Sequence, residues 1–139
     1  LPPGPDKLFD EAWRKFCKVK RAVERRGRGW GGLPRKLQEE MDSVRKLYEL
    51  AGAQGHAMAM YRLAFNHKHG LGVEADSVKA EDYYRRAIEI NPNHAKVHFD
   101  LGNVLKRKGN LDGAEEHYRR CIAINLNYAK AHFNPWSPT

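Results

Sequence analysis

Tyr84 to Phe99 reads YRRAIEINPNHAKVHF, and Tyr118 to Phe133 reads YRRCIAINLNYAKAHF. The blocks lie 34 residues apart and agree at 11 of 16 positions. Self-similarity at a fixed step marks a repeat architecture, in which each unit buries its apolar face against the next. Apolar residues inside the blocks recur at helical spacing, and Asn91-Pro92-Asn93 reads as a turn between two helices.

Working backward, a helix from about Ser77 to Ile90 carries Ala80, Tyr84, Ala87 and Ile88 on its inner face. A helix from about Gly55 to Lys68 precedes it, with Met58, Tyr61, Leu63 and Phe65 as contacts, and the loop HGLGVEAD joins the two. Before that, Leu37, Met41, Val44, Tyr48 and Ala51 form a stripe ending at Gly52, with Pro34 suited to the helix's first turn. The first helix, capped by Asp6, carries Phe9, Ala12, Phe16, Val19 and Val23, with Trp13 beside them; GRGWGG (Gly27 to Gly32) breaks it. Forward, helices run from about His94 to Lys108 and Leu111 to Ile124. A seventh begins near Tyr128 and is stopped by Pro135, and Phe133 and Trp136 can cover the open end.

These residues resemble two related repeat families. From Ala95 to Tyr128, Leu101-Gly102, Leu105, Gly109, Ala114, Tyr118 and Cys121 fall where a tetratricopeptide repeat places its large and small residues, with Leu126 where that family usually has Pro. The preceding unit has four extra residues between its helices. Gly70, Gly72, Val73, Asp76, Lys79, Ala80 and Tyr84 resemble the signature of a Sel1-like repeat, whose glycines are expected at positive φ. Val44 and Tyr48 precede Ala80 and Tyr84 by 36 residues, so the second helix reads as the back helix of a degenerate first unit, with the basic helix as its front partner. The resemblance implies an all-α fold: a short right-handed α-solenoid of antiparallel helix pairs, about six helices plus a short C-terminal cap. The expected organisation is an N-terminal segment over 1–33 and a repeat domain over 34–139. The latter divides into a back helix over 34–54, a Sel1-like repeat over 55–91, a tetratricopeptide repeat over 92–127 and a truncated cap over 128–139.

The resemblance also implies a protein–protein interaction scaffold or a subunit of a larger complex. The ligand-reading face would carry Tyr61, Arg62, Phe65, Lys96, Phe99, Asp100, Asn103, Arg107, Lys130 and Asn134. The carboxylate clamp of chaperone-binding tetratricopeptide proteins is not matched, because Phe99 and Asp100 stand where its Lys/Asn and Arg/Asn belong.

Net charge is +8 over 139 residues, and it is concentrated. Between Ala12 and Lys36 lie Arg14, Lys15, Lys18, Lys20, Arg21, Arg25, Arg26, Arg28, Arg35 and Lys36 against the single acid Glu24. Such a window attracts acidic partners. An acidic protein surface ranks first. RNA, with Trp30 stacking on a base, ranks second, and peripheral contact with anionic lipid third. No Ser, Cys or carboxylate sits in a catalytic motif, and Gly70-Leu71-Gly72 lacks a nucleotide fingerprint, so neither an enzyme nor a cofactor is expected. His67, His69, His94 and His98 lack a matching third metal ligand and read as structural or surface residues, with the helix dipole favouring the charged form of His69. Cys17 and Cys121 read as reduced thiols of an intracellular, reducing compartment. No apolar run is long enough for a membrane span.

Overall fold

The computed structural model describes residues 2–132. These form seven helices: α1 (Pro5–Arg26), α2 (Arg35–Ala53), α3 (Ala57–His69), α4 (Ser77–Ile90), α5 (Ala95–Arg107), α6 (Leu111–Ile124) and α7 (Leu126–His132). Helices α1 and α2, α3 and α4, and α5 and α6 pack as pairs; α2 lies on α3, α4 on α5, and α6 on α7. The result is a short α-solenoid. Local chemistry sets several starts. Asp76 caps α4 by accepting from Val78 N and Lys79 N at 3.0 and 3.1 Å, and Asn110 caps α6 by accepting from Gly113 N at 3.0 Å. The α1 cap is Gly4, not Asp6: Pro5, which lacks an N–H, occupies the first turn, and Asp6 lies inside that turn beside the helix dipole. Helix α7 starts at Leu126 rather than near Tyr128, because Asn125 Oδ1 accepts from Tyr128 N at 2.9 Å. Pro135, Phe133 and Trp136 lie outside the described residues.

One core runs through the stack. On α1 the buried stripe is Leu8, Ala12, Phe16, Val19 and Val23. Phe9, expected there, sits at its edge, stacked on His56 at 4.5 Å. The α1 stripe belongs to the same buried cluster as Val44, Tyr48, Leu63, Tyr84 and Leu101. Burying a side chain such as Leu63 or Leu101 contributes roughly 2 kcal/mol. Small residues decide how closely the helices approach. A Cβ at Gly102 would lie 2.6 Å from Tyr118 Cε1, so that tyrosine packs directly on the α5 backbone. Gly52 does not end α2. It is buried in the last turn, where a Cβ would lie 2.5 Å from Met60 Cε. Gly70 and Gly72 adopt positive φ as expected, and Gly72 also touches Met41.

The core holds one buried polar pair. His98 Nδ1 lies 3.1 Å from His117 Nδ1, and His98 Nε2 lies 2.8 Å from Pro92 O. A carbonyl only accepts, so His98 carries its proton on Nε2 and His117 donates from Nδ1. Burial, then the neighbouring His98 and the cations Arg85 and Arg120, push the His117 pKa down to about 4 against the opposing pull of Glu116.

Two expectations follow from this packing. The hydroxyls of Tyr48 and Tyr84 are buried without a protein partner, whereas Tyr61 donates to Asp100 at 2.7 Å. Tyr48→Phe and Tyr84→Phe should therefore leave stability within ~0.5 kcal/mol, and Tyr61→Phe should cost ~1–2 kcal/mol, in urea unfolding. Between pH 6.5 and about 4 the unfolded chain binds a proton at His117 that the folded chain refuses, so stability falls as pH falls through this window. The loss should approach ~2–3 kcal/mol. His67, His69 and His94 are lowered as well and act in the same direction. Unfolding at pH 7 and pH 4.5 measures the slope, and His117→Phe should flatten it.

Candidate functional site

The front helices α1, α3 and α5 bring an aromatic and cationic band together. The Arg62 guanidinium lies 4.4 Å above the Trp13 ring and 5.6 Å from the Tyr61 ring, so it ties α3 to α1. Lys96 Nζ lies 5.3 Å from the Tyr61 ring. Tyr61 is fully buried as a ring, and its hydroxyl reaches α5 at Asp100. Burial and the Asp100 charge together hold the Tyr61 hydroxyl protonated far above its ordinary range. Beside them Phe65 packs on His69 at 4.3 Å, and Phe99 sits between Tyr118 and Tyr128 at 6.0 and 5.9 Å. Tyr118 donates to Asn103 Oδ1 at 2.6 Å.

Tyr61, Arg62, Phe65, Lys96 and Asp100 thus form one connected group centred on Tyr61, and Phe99 and Asn103 form a second around Tyr118. Arg107 is exposed at the end of α5, near enough to disfavour the charged forms of Lys68 and His69. Lys130 falls within α7, and Asn134 lies outside the described residues. Trp13, Lys68, His94 and Tyr118, which the sequence reading did not place with these residues, lie beside them. Trp13 offered a signal: a large aromatic beside, rather than in, the α1 stripe. His94 stacks on Tyr61 at 6.3 Å while His98 turns to His117, so their helical spacing does not bring them together. His69 also departs from expectation. Burial, then Lys68, lower its pKa, outweighing the helix dipole.

Charge is segregated between the helix sets. On the back helices the arginines are paired: Arg85 with Glu81, Arg86 with Asp82, Arg119 with Glu115, and Arg120 with Glu116. Arg45 lies between Asp42 and Glu49. On the front helices Asp100 stands among Arg62, Lys68, Lys96 and Arg107, none of which has an acid within 4.0 Å among the described residues.

The basic window divides by environment. Lys15 donates to Ser43 Oγ on α2 at 3.2 Å, Arg26 folds back to Gly32 O at 3.2 Å, and Arg35 pairs with Glu39 at 3.0 Å. Trp30 is half-buried and stacked on Phe16 with rings nearly parallel at 5.8 Å, which commits one face of its indole. Arg14, Lys18, Lys20, Arg21, Arg25, Arg28 and Lys36 are exposed, with no acidic partner among the described residues.

A cleft of about 850 Å³ opens on the other side, between α2, the 70–76 loop and α4. Of its charged groups, Arg45 lies between Asp42 and Glu49, and Asp76 caps α4. Among the described residues no three His, Cys, Asp or Glu side chains cluster to hold a metal ion, and no helix is long and apolar enough to cross a membrane.

Residues 57–91 match the Sel1 repeat family, and residues 45–56 match part of a preceding Sel1 unit. Residues 83–116 match the tetratricopeptide repeat. That match opens inside α4 rather than at α5, so it takes in the end of one helix pair, the contact of α4 on α5 and the start of α6. A solved structure of a Sel1 repeat protein from Oxalobacter formigenes is 31% identical, with a TM-score of 0.56, over 66% of this chain and 38% of that one. The present chain therefore spans 38% of that protein's length. No curated protein matches the sequence significantly. Repeats of both kinds generally mediate protein–protein interaction and are typically non-catalytic modules. The step of 38 residues from Leu63 to Leu101, followed by one of 34, is that of a Sel1 unit running into a tetratricopeptide unit, and the chain belongs to the tetratricopeptide and Sel1-like repeat proteins.

Proposed function

We propose that this chain is a non-catalytic scaffold or accessory subunit that binds an acidic segment of a protein partner on its front face. The observation that carries the reading is the segregation of charge. Back-helix arginines are neutralised by acids one turn away, while Arg62 and Lys96 on the front helices stand beside aromatic rings without acidic partners among the described residues. A carboxylate arriving at Arg62 meets a guanidinium already held by Trp13, so little side-chain entropy is lost on binding. Phe65 and Phe99 flank the cations and offer apolar contact to the same segment.

RNA is the alternative, and the run Arg21, Arg25, Arg26 and Arg28 favours it. The half-buried stacking of Trp30 and the inward bond of Arg26 weigh against it, because they reduce what the loop offers a base or a phosphate. Deleting residues 1–33 would not test either reading cleanly, since α1 supplies Leu8, Ala12, Phe16, Val19 and Val23 to the core. Point substitutions do.

A labelled Asp/Glu-rich peptide containing one Phe should bind at ~50 mM salt and weaken at least tenfold by ~500 mM, as surface charges are screened. Arg62→Ala with Lys96→Ala should weaken it at least fivefold while urea unfolding shifts by less than ~1 kcal/mol. Binding untouched by this double substitution would overturn the front-face reading. A labelled single-stranded RNA, titrated over the same salts, should bind more weakly than the peptide. Tighter RNA binding that is lost in Arg21→Gln, Arg25→Gln, Arg26→Gln and Arg28→Gln would favour the alternative.

A further inference from the structure

The stack repeats one contact. A back helix covers a flank of the next front helix: α2 lies on α3, and α4 lies on α5. The outer surface of α1 is not featureless. A shallow groove of about 740 Å³ runs along it, with Trp13 and Cys17 half-buried in its lining and the acid Glu11 and the bases Arg14, Lys15, Lys18 and Arg21 around them. Arg25 continues the line one turn on.

The spacing of Arg14, Lys18, Arg21 and Arg25 is four, three and four, which keeps them in one row along a helix over about 16 Å. None has an acid within 4.0 Å among the described residues; Arg14 Nε touches only Asp10 O at 3.4 Å. A long row of unpaired cations beside an apolar floor suits a partner of matching geometry: a second helix, with carboxylates at the same spacing and an apolar residue between them. The stack itself contains one such pairing. Where α4 meets α5, Glu81 on the back helix receives Lys108, at the end of the front helix, at 2.7 Å. That bridge, with Arg85, lowers the Glu81 pKa.

We propose that the exposed flank of α1 receives an acidic amphipathic helix of a partner protein. This rests on the protein-partner reading above but concerns the outer flank of α1, which adjoins the front face at Trp13. It deepens that reading by naming the partner's secondary structure and the place where it docks. Nucleic acid fits this flank less well, because its one lining tryptophan, Trp13, is engaged under Arg62.

The test uses the full chain and two labelled peptides of ~20 residues and identical composition. One is an alanine-based helix with Glu at i, i+4, i+7 and i+11 and Leu between them. The other has the same residues dispersed around the helix. In anisotropy titrations the in-register peptide should bind about tenfold tighter than the dispersed one. Lys18→Glu with Arg21→Glu should erase that preference, and Arg119→Glu with Arg120→Glu on α6 should retain it. Circular dichroism checks that each variant stays helical. Arg62→Ala with Lys96→Ala should leave this binding within about twofold, which separates the flank from the front face. Equal binding of the two peptides, or no binding of either, overturns the proposal. So does binding lost with Arg62 and Lys96 but not with Lys18 and Arg21; that outcome would leave the front-face reading standing. Tighter binding of poly-uridine RNA than of the in-register peptide, abolished by the same α1 substitutions, overturns it in favour of nucleic acid.

Discussion

The Tyr61 ring is fully buried against Tyr84, at 5.8 Å, while its hydroxyl donates to Asp100 on the next front helix. Much of the rest depends on this one side chain. Its ring belongs to the core that holds α3 on α4, its polar end links α3 to α5, and its ring face attracts Arg62 and Lys96. Packing and electrostatics therefore share a residue. A solenoid has few long-range contacts to spread strain, so a side chain that bridges successive units carries more of the coupling than one confined to a pair.

The charge pattern follows from the same geometry. Back helices have an outer face open to water, and there an i, i+4 acid and base satisfy each other at little cost. Front-helix cations are drawn instead to aromatic faces and to one acid, Asp100, that is already engaged by Tyr61. The chain's positive charge is thus directed outward in two places, the aromatic band and the row on α1. A family of folds that hosts many partners differs from member to member in this kind of detail.

Most of the helix layout could be read from residues alone. Starts and stops of α4 and α6 agree with the sequence reading because Asp76 and Asn110 are strong caps and the turns that follow are short. Where reading went astray, a non-local contact had overridden a local rule. Gly52 looked like a terminator, but its use is to admit Met60. Asp6 looked like a cap, but Pro5 ahead of it had already started the helix. His69 looked like a charged residue at a helix end, but Phe65 and Lys68 surround it. The repeat positions of Tyr61, Arg62, Phe65, Lys96 and Asp100 on α3 and α5 were legible in the sequence. Their joining to Trp13 on α1 was not, since no spacing rule relates residues 49 positions apart in the chain.

The periodic apolar residues, the caps and the 34-residue echo by themselves determined that this chain forms paired helices that stack, because each pair exposes an apolar face that only its neighbour can cover. Only the tertiary structure decided which basic residues remain available. Lys15, Arg26 and Arg35 turn inward or find an acid, Arg62 and Lys96 lie over rings, and the row from Arg14 to Arg25 faces water. A charge in a sequence is a sum, and pairing distances of a few ångströms between side chains from different helices decide how much of that sum a partner meets.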